Sequence, residues 1–257
     1  MRKIICITNQ KGGVGKTTTA VNLAASLAVA EKKTLLVDID PQGNASSGIG
    51  LNKDEIKENV YHVLMEEKDI EDVIKKTELT FLEVLPSNID LTGAEIELVN
   101  LPSRELRLRK IIQKIENNYD YILIDCPPSL GLLTLNSLAA ADSVLMPVQC
   151  EYYALEGLSR LLRTVRLVKK SLNPRLEIEG FLLTMYDNRN NLSQQVAEEV
   201  KTHFKDKVFN VTIPRNVKLA ECPSFGKPIL VYDINCKGAR SYLQLAEEII
   251  NNGRVRQ

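Results

Sequence analysis

The sequence of 257 residues lacks several features that would assign it to common classes of protein. It contains no run of about 18 apolar residues, so we expect no transmembrane helix. Its N-terminus has neither the length nor the cleavage site of a signal peptide, which argues against secretion. The cysteines show no Cys-x-x-Cys spacing, so we expect neither a metal cluster nor a disulfide framework, and a reducing cytoplasm is the simplest location. They are Cys6, Cys126, Cys150, Cys222 and Cys236.

Modules that read nucleic acid sequence are also missing. There is no helix-turn-helix pattern, no zinc module and no ladder of aromatic residues for stacking on single strands. The formal net charge is zero, yet residues 161–257 carry 16 Lys/Arg against 10 Asp/Glu. This excess suggests a polyanionic partner for the C-terminal part, although ordinary scatter of surface charge would give similar numbers.

Apolar runs alternate with helical patterns along the chain, without repeats or long linkers. This alternation predicts a doubly wound, mostly parallel α/β sheet flanked by helices, in a single domain over 1–257. The predicted strands are 4–8, 34–38, 81–85, 121–125, 143–147, 178–185 and 208–211. The predicted helices are 16–30, 104–117, 131–140, 151–172, 192–204 and 238–251, with a short one at 91–98 and a charged helical segment at 52–80.

A glycine-rich loop lies between the first predicted strand and the first predicted helix. The loop holds Gly12, Gly13 and Gly15, which can adopt backbone angles closed to other residues. Its N–H groups can therefore turn inward around a phosphate, at the positive end of the helix dipole. Lys16 would meet the outer phosphates, and the Thr17 hydroxyl is placed to bind Mg²⁺.

The loop departs from the usual G-x-x-x-x-G-K-[ST] pattern. Gln10 stands where the first glycine is expected, and a second lysine, Lys11, follows it. One lysine suffices for the phosphates of a nucleotide in its own subunit. Lys11 is therefore either a solvated surface charge or a residue that reaches a nucleotide held by a second subunit.

Acidic residues follow two of the other predicted strands. Asp38 and Asp40 alternate, so an extended backbone would point both carboxylates the same way. Asp38 would then lie near Mg²⁺, and Asp40 would orient or deprotonate an attacking water. A pair of turn or cap aspartates before Pro41 is the alternative. Asp125 ends an apolar strand, which after a glycine loop indicates a residue that holds Mg²⁺ through water.

These motifs together resemble the ParA/MinD ATPases, which are P-loop NTPases with a deviant Walker A motif, and among them the small ParA/Soj partition proteins. The resemblance spans nearly the whole chain. It rests on Lys11-Gly-Gly-Val-Gly-Lys-Thr-Thr18 and on the segments 7–10, 37–44, 124–131, 147–158 and 213–216. It implies binding of ATP or ADP with Mg²⁺ and slow, partner-stimulated ATP hydrolysis.

The resemblance also implies a role for individual residues. The implied catalytic residues are Lys11, Lys16 and Asp40, and the implied Mg²⁺ residues are Thr17, Asp38 and Asp125. The implied nucleotide contacts are Lys11, Gly12, Gly13, Val14, Gly15, Lys16, Thr17, Thr18, Met185, Pro214 and Asn216, the last three around the adenine. The implied contacts to DNA are Arg189, Lys218, Lys227 and Arg240.

A ParA/Soj-type protein would form a homodimer when ATP is bound, with Glu151 near the partner's nucleotide. The dimer would bind double-stranded DNA without sequence preference. A ParB-type centromere-binding protein would stimulate hydrolysis, and the protein would be cytoplasmic and associated with the nucleoid. We expect no separate N-terminal DNA-reading domain, because Lys11 lies only ten residues after Met1.

Three other functions share the same loop. A MinD-like membrane ATPase would end in a basic amphipathic helix, but residues 247–257 are short and lack bulky aromatic side chains, so no stable membrane association is expected. A positioner of protein cargo would differ only in its partner. An iron–sulfur carrier or nitrogenase-like reductase would need cysteine pairs that this sequence lacks.

Overall fold

The computed structural model describes residues 2–151 and 154–255. Its strands form one seven-stranded sheet in the order β3-β4-β2-β5-β1-β6-β7. All neighbouring strands are parallel except β3, which pairs antiparallel with β4 at the edge. The strands are β1 (Lys3–Ile7), β2 (Thr34–Asp38), β3 (Lys75–Lys76), β4 (Leu82–Leu85), β5 (Tyr121–Asp125), β6 (Ser143–Gln149) and β7 (Glu177–Thr184). The predicted doubly wound, mostly parallel fold is therefore confirmed.

Helices cover both faces of this sheet. They are α1 (Lys16–Val29), α2 (Asn44–Gly48), α3 (Val60–Leu64), α4 (Ile70–Val73), α5 (Leu91–Glu97), α6 (Arg107–Ile115), α7 (Leu132–Ala140), α8 (Ala154–Ser171), α9 (Asn191–Phe204), α10 (Val217–Glu221), α11 (Ile229–Tyr232) and α12 (Lys237–Val255). Short 3₁₀ turns lie at Lys53–Glu55, Leu98–Asn100, Glu116–Asn118, Lys205–Lys207 and Cys222–Phe225. Within the described ranges no helix combines the length and the hydropathy needed to cross a bilayer.

The alternation of side chains along buried strands produces two apolar clusters, one on each face of the sheet. The first core cluster includes Cys6, Val37 and Ile124 and packs against helices such as α6, α7 and α8. The second core cluster includes Ile7 and Leu36 and packs against α1, α10 and α12. Because both faces are covered, the strands are apolar throughout, which is why the sequence identified them.

Parallel strands bring the acidic and glycine-rich segments to one edge. Asp38 lies opposite Asp125 in the β2–β5 register, and Ile7 lies opposite Asp125 in the β1–β5 register. The glycine loop leaves this same edge after β1. The carboxyl ends of three adjacent strands therefore meet where such sheets bind ligands.

The predicted strand at 208–211 is wrong. Only a single bridge joins Val208 to β7. The backbone N–H groups of Asn210 and Val211 instead donate to the carboxylate of Glu248 in α12, at 3.0 and 3.3 Å. A side chain thus replaces the neighbouring strand as hydrogen-bond partner, and the apolar residues of this segment pack as a loop.

The predicted continuous helical character of 52–80 is also wrong. The segment is divided into a 3₁₀ turn, α3, α4 and the edge strand β3. Asn59 starts α3 by accepting a hydrogen bond from the N–H of Tyr61 at 2.8 Å. Glu66 follows α3 with a positive φ of 62°, which stops further helix.

The remaining predicted elements are present, the strands 34–38 and 121–125 with the predicted ends and the others with shifted ends. Helix 104–117 begins at Arg107, because Ser103 has φ 52° and the Arg104 side chain bonds the Val99 carbonyl at 2.7 Å. Strand 178–185 ends at Thr184, since Met185 has φ 51°. In the predicted helix 151–172, positions 152 and 153 lie outside the described residues, and α8 begins at Ala154.

Two glycine substitutions test how tightly this fold is packed. A Cβ on Gly180 in β7 would lie 2.7 Å from Phe209 Cε2 and 2.9 Å from the Lys207 carbonyl oxygen. We therefore expect Gly180→Ala to lower the free energy of unfolding by about 1–3 kcal/mol, since a buried clash forces the backbone to shift. A Cβ on Gly157 in α8 would meet no atom within 4 Å. Gly157→Ala should raise stability by about 0.5–1 kcal/mol. Urea unfolding of the ligand-free protein measures both, and equal effects would contradict this packing.

Candidate nucleotide and metal site

The glycine loop has a fixed shape that leaves its N–H groups free for an anion. Gly13 and Gly15 have φ values of 73° and 87°, in the left-handed region that glycine tolerates. No side chain caps the start of α1 at Gly15. The N–H groups of the first helical turn therefore stay available for a phosphate.

Two side chains outside the loop hold it in place. The Asn9 amide donates to the Pro147 carbonyl at 2.7 Å, while its Oδ1 accepts from the N–H of Lys11 at 3.1 Å. On the other side, the Thr184 hydroxyl donates to the Val14 carbonyl at 2.8 Å. The loop is thus tied to the ends of β6 and β7. The sequence analysis did not assign these roles to Asn9 and Thr184.

Lys16 points back over the loop. Its Nζ donates to the Lys11 carbonyl at 3.0 Å, and the residue is 7% exposed. Burial lowers the pKa of Lys16, while Asp125 and Asp40 act in the opposite direction. A buried ammonium with one carbonyl partner and carboxylates nearby is suited to meet the outer phosphates of a nucleotide.

Asp125 is the most unusual group at this edge. It is fully buried, and neither carboxylate oxygen has a hydrogen-bond partner among the described residues. Burial raises the pKa of Asp125 well above its ordinary value, and the neighbouring Asp38 raises it further. The Thr17 hydroxyl acts on the pKa of Asp125 in the opposite direction. An orphaned buried carboxylate beside a hydroxyl suits a hard cation with oxygen ligands, so these residues fit Mg²⁺.

Asp38 is buried too, but its oxygens are satisfied by the protein. Oδ2 accepts from the Ser46 N–H at 2.8 Å and the Ser46 hydroxyl at 2.7 Å, and Oδ1 accepts from the Asp40 N–H at 3.2 Å. Burial nevertheless raises the pKa of Asp38 to about 6, against the effect of these bonds. Asp38 therefore keeps fewer free lone pairs for a cation than Asp125 does.

Asp40 lies at the mouth of the site and is 7% exposed. Its Oδ1 accepts from the Gln42 N–H at 2.9 Å, and its carbonyl accepts from the Gly43 N–H at 2.8 Å. Asp40 Oδ2 has no donor in the described part of the chain. One oxygen thus fixes the carboxylate, and the other remains available to accept a hydrogen bond.

Lys11 does not point at its own loop. Its Nζ donates to Glu151 Oε2 at 2.6 Å, with the two side chains 39% and 49% exposed. The Gln149 amide contacts the other oxygen of Glu151. The two residues that the resemblance assigned to a subunit contact are therefore joined to each other within one chain, at the surface.

The three residues assigned to adenine lie together at the end of β7. A bridge joins Tyr186 to Pro214. Met185 lines a cavity of about 100 Å³ with Glu151 and Arg215. The side-chain oxygen of Asn216 caps α10 by accepting from the Lys218 N–H at 2.8 Å, so only its amide NH₂ remains for a ligand.

The four residues assigned to DNA do not form one cluster of free cations. Arg189 pairs with Asp187 at 2.9 Å, although its side chain is 86% exposed, and Lys218 pairs with Glu221 at 3.4 Å. Lys227 and Arg240 are exposed and make no ion pair in the ranges the structure describes. Arg189 lies in the loop before α9. The other three lie in or next to α10, α11 and α12, which pack on the second core cluster.

Ser46 is a further site residue that the sequence analysis missed. Its hydroxyl donates to Asp38 and accepts from the Ser87 N–H at 2.9 Å, so it connects β2 to the loop after β4. A serine in a short helix after Asn44 carries no motif of its own. Only the proximity of the helix to a buried carboxylate reveals its role.

Comparison with known proteins agrees with this geometry. The AAA_31 family model, described as an AAA domain, matches residues 2–178. The chain is 62% identical over 248 residues to the chromosome partitioning protein ParA of Myxococcus xanthus, covering 96% of this chain and 88% of that protein. It is 61% identical to the sporulation initiation inhibitor protein Soj of Bacillus subtilis, covering 98% and 100%.

A solved structure extends the likeness to the fold. A cobyrinic acid a,c-diamide synthase of Mycobacterium smegmatis, crystallised with ADP and magnesium, superposes with a TM-score of 0.88 at 35% identity. The match covers 100% of this chain and 97% of that one. That protein holds ADP and magnesium within the same fold.

The raised pKa of Asp38 predicts an inverse dependence of stability on pH. The folded state holds the Asp38 proton up to about pH 6, whereas the unfolded chain releases it near pH 4. This group therefore favours folding most below pH 4, and its contribution is lost as the pH rises to about 6. Asp38→Asn removes the titration. We expect the variant to gain up to about 3 kcal/mol relative to wild type between pH 4 and 7, because each pKa unit corresponds to about 1.4 kcal/mol.

Urea unfolding in EDTA at several pH values measures this difference. EDTA is needed because a bound cation would stabilise the ionised carboxylate and mask the effect. Any loss of the Ser46 hydrogen bonds in the variant shifts the two curves apart equally at all pH values. Parallel curves for the two proteins between pH 4 and 7 would contradict the raised pKa of Asp38.

Proposed function

The chain belongs to the ParA/Soj family of partition ATPases, and we propose that it is an ATP-dependent DNA-binding switch that moves or positions chromosomes or plasmids. In this proposal residues 1–257 form a single ATPase domain. The observation that carries it is the buried carboxylate of Asp125, without a hydrogen-bond partner among the described residues, beside Lys16 and Thr17 of a loop whose helix start has no side-chain cap. Such a pair favours a ligand that brings an anion and a cation together, as Mg-ATP does.

In this proposal the loop residues and the strand ends bind different parts of the nucleotide. N–H groups of residues 12–18 and the ammonium of Lys16 would bind the phosphates, while Met185, Pro214 and Asn216 surround the base. Thr17 and Asp125 would hold Mg²⁺, with Asp38 fixed beside them by Ser46. Bound Mg²⁺ would neutralise phosphate charge during transfer.

Asp40 acts on the attacking water in this scheme. Gln42 holds one of its oxygens by a backbone N–H, which leaves the other to accept a proton from water. Lys16 would stabilise the negative charge that develops on the transferred phosphate. ATP would be converted to ADP and phosphate slowly, and a ParB-type centromere-binding partner would accelerate this step.

Lys11 connects nucleotide binding to dimerisation. In the isolated chain it is paired with Glu151 at the surface. An exposed ion pair of this kind stabilises little, so it can be exchanged for stronger partners. We propose that ATP brings two subunits face to face and that Lys11 of each leaves Glu151 for the phosphates held by the other.

The ATP-bound dimer would bind double-stranded DNA through Arg189, Lys218, Lys227 and Arg240. Contacts from these side chains to phosphates carry no sequence information, so binding would be non-specific and sensitive to salt. Arg189 and Lys218 would exchange their acidic partners for phosphates. The protein would work in the cytoplasm on the nucleoid, without stable membrane association.

Asp40→Ala tests the switch. Loss of a residue that positions water or accepts its proton should slow ATP hydrolysis by about 100-fold or more. The variant should remain bound to random duplex DNA for longer than wild type, with ATP but not with ADP. Filter or interferometry binding over a salt series, with phosphate release measured in parallel, checks both effects.

Lys11→Ala provides the matched control. It should abolish ATP-dependent dimerisation and DNA binding, although nucleotide still binds its own loop. The proposal would be contradicted if wild type and Asp40→Ala failed to bind DNA in every nucleotide state. ATP-dependent sedimentation with liposomes would then point to the MinD-like alternative.

A further inference from the structure

The segment from α10 to α11 exposes apolar side chains among cations. Its inward side is well packed, because Leu219, Cys222 and Ile229 belong to the second core cluster. Its outward side carries Val217 and Phe225, which are 71% and 60% exposed. A single exposed apolar side chain is ordinary on a protein surface, so the surroundings of Phe225 decide whether it marks an interaction site.

The Phe225 ring is held in position. Gly226, with φ 61°, turns the chain directly after it, and the Gly226 and Lys227 N–H groups donate to Pro223 and Cys222 at 3.1 and 3.2 Å. Gly226 itself packs against Gly50 in the loop after α2, where a Cβ on Gly226 would lie 3.0 Å from the Gly50 Cα. The exposed ring therefore has a rigid base.

A second aromatic ring supports it from the side. The centroids of Phe225 and Tyr232 are 5.1 Å apart at an interplanar angle of 32°. Lys218 Nζ lies 5.4 Å from the Tyr232 centroid, close enough for a cation–π contact. Glu221 pairs with Lys218 and accepts from the Tyr232 hydroxyl at 3.2 Å, which fixes the arrangement.

The charges around the ring favour a polyanion. Lys218 precedes Phe225 and the exposed Lys227 follows it by two residues. From 215 to 240 the chain carries five Lys/Arg and two Asp/Glu. An apolar ring framed by lysines matches duplex DNA, whose phosphates border a groove lined by sugars and base edges.

We propose that Phe225, supported by Tyr232, contacts the sugar and base surface of a DNA groove while Lys218 and Lys227 bind the flanking phosphates. This inference rests on the proposed DNA binding and adds to it an apolar component. Phosphate contacts give a salt-dependent affinity, whereas an apolar contact contributes equally at every salt concentration. The two components can therefore be separated by experiment.

Phe225→Ala and Lys218→Ala should differ in their salt dependence. Binding of ATP-loaded protein to random duplex DNA is measured from low to moderate NaCl. Phe225→Ala should weaken binding by about 5- to 30-fold at every salt concentration with an unchanged slope, as expected for loss of one apolar or stacking contact. Lys218→Ala should reduce the slope of log affinity against log salt by about 1.

Leu167→Ala is the matched control. Leu167 in α8 is 58% exposed, but α8 packs on the first core cluster, on the opposite face of the sheet. Its loss should leave both affinity and slope unchanged. Circular dichroism and thermal unfolding check that each variant is folded. Phe225→Leu keeps an apolar side chain at this position and should recover part of the affinity for DNA.

The outcomes distinguish this inference from the proposed function. Wild-type affinity for DNA in Phe225→Ala, with Lys218→Ala impaired, would overturn the groove contact and leave DNA binding intact. No DNA binding by wild type in any nucleotide state would overturn both. Phe225-dependent binding to phosphatidylglycerol vesicles, with DNA affinity unchanged in the variant, would also overturn it and assign the patch to a membrane surface.

Discussion

The carboxylate of Asp125 lies fully buried at the carboxyl end of the central strand β5, with no hydrogen-bond partner among the described residues. Ionising it there is costly, because burial removes the carboxylate from solvent and raises its pKa. Asp38 in the adjacent strand adds a second buried carboxylate, and the ammonium of Lys16 only partly offsets the combined effect on Asp125. The folded protein is therefore least stable when Asp125 is ionised and no ligand is bound. The buried carboxylate lowers the stability of the ligand-free protein. A bound cation and phosphate relieve this cost, which favours their binding.

The surrounding structure keeps that strained centre in place. Ser46 hydrogen-bonds Asp38 and leaves Asp125 as the carboxylate of the pair with no hydrogen-bond partner in the described part of the chain. Asn9 and Thr184 fix the glycine loop from two neighbouring strands. The loop can then present its N–H groups without rearrangement, which lowers the entropic cost of binding a nucleotide. The phosphate site is rigid, whereas the exposed Lys11–Glu151 ion pair is weak. Any rearrangement on ligand binding is therefore expected at the surface, where this pair lies.

Local patterns were sufficient to predict most of the sheet, because strands buried on both faces must be apolar along their whole length. The strand from Thr34 to Asp38 and the strand from Tyr121 to Asp125 were predicted at their observed ends. Residues 208–211 are also largely apolar, but Glu248, distant in sequence, accepts the N–H groups of Asn210 and Val211. The glycine loop and the acidic strand ends were likewise predictable, since each follows an apolar run. Ser46, Thr184 and the Lys11–Glu151 pair depend on contacts between distant segments, which no local pattern encodes.

We propose that Asp125 binds a cation that arrives with the nucleotide. Isothermal titration of wild type and Asp125→Asn with ADP, in Mg²⁺ and in EDTA, measures this coupling. We expect Mg²⁺ to raise the affinity of wild type for ADP by about 10-fold or more, equivalent to about 1.4 kcal/mol, and Asp125→Asn to lose this dependence. Equal ADP affinity of wild type in Mg²⁺ and in EDTA, or an undiminished Mg²⁺ effect in the variant, would contradict it.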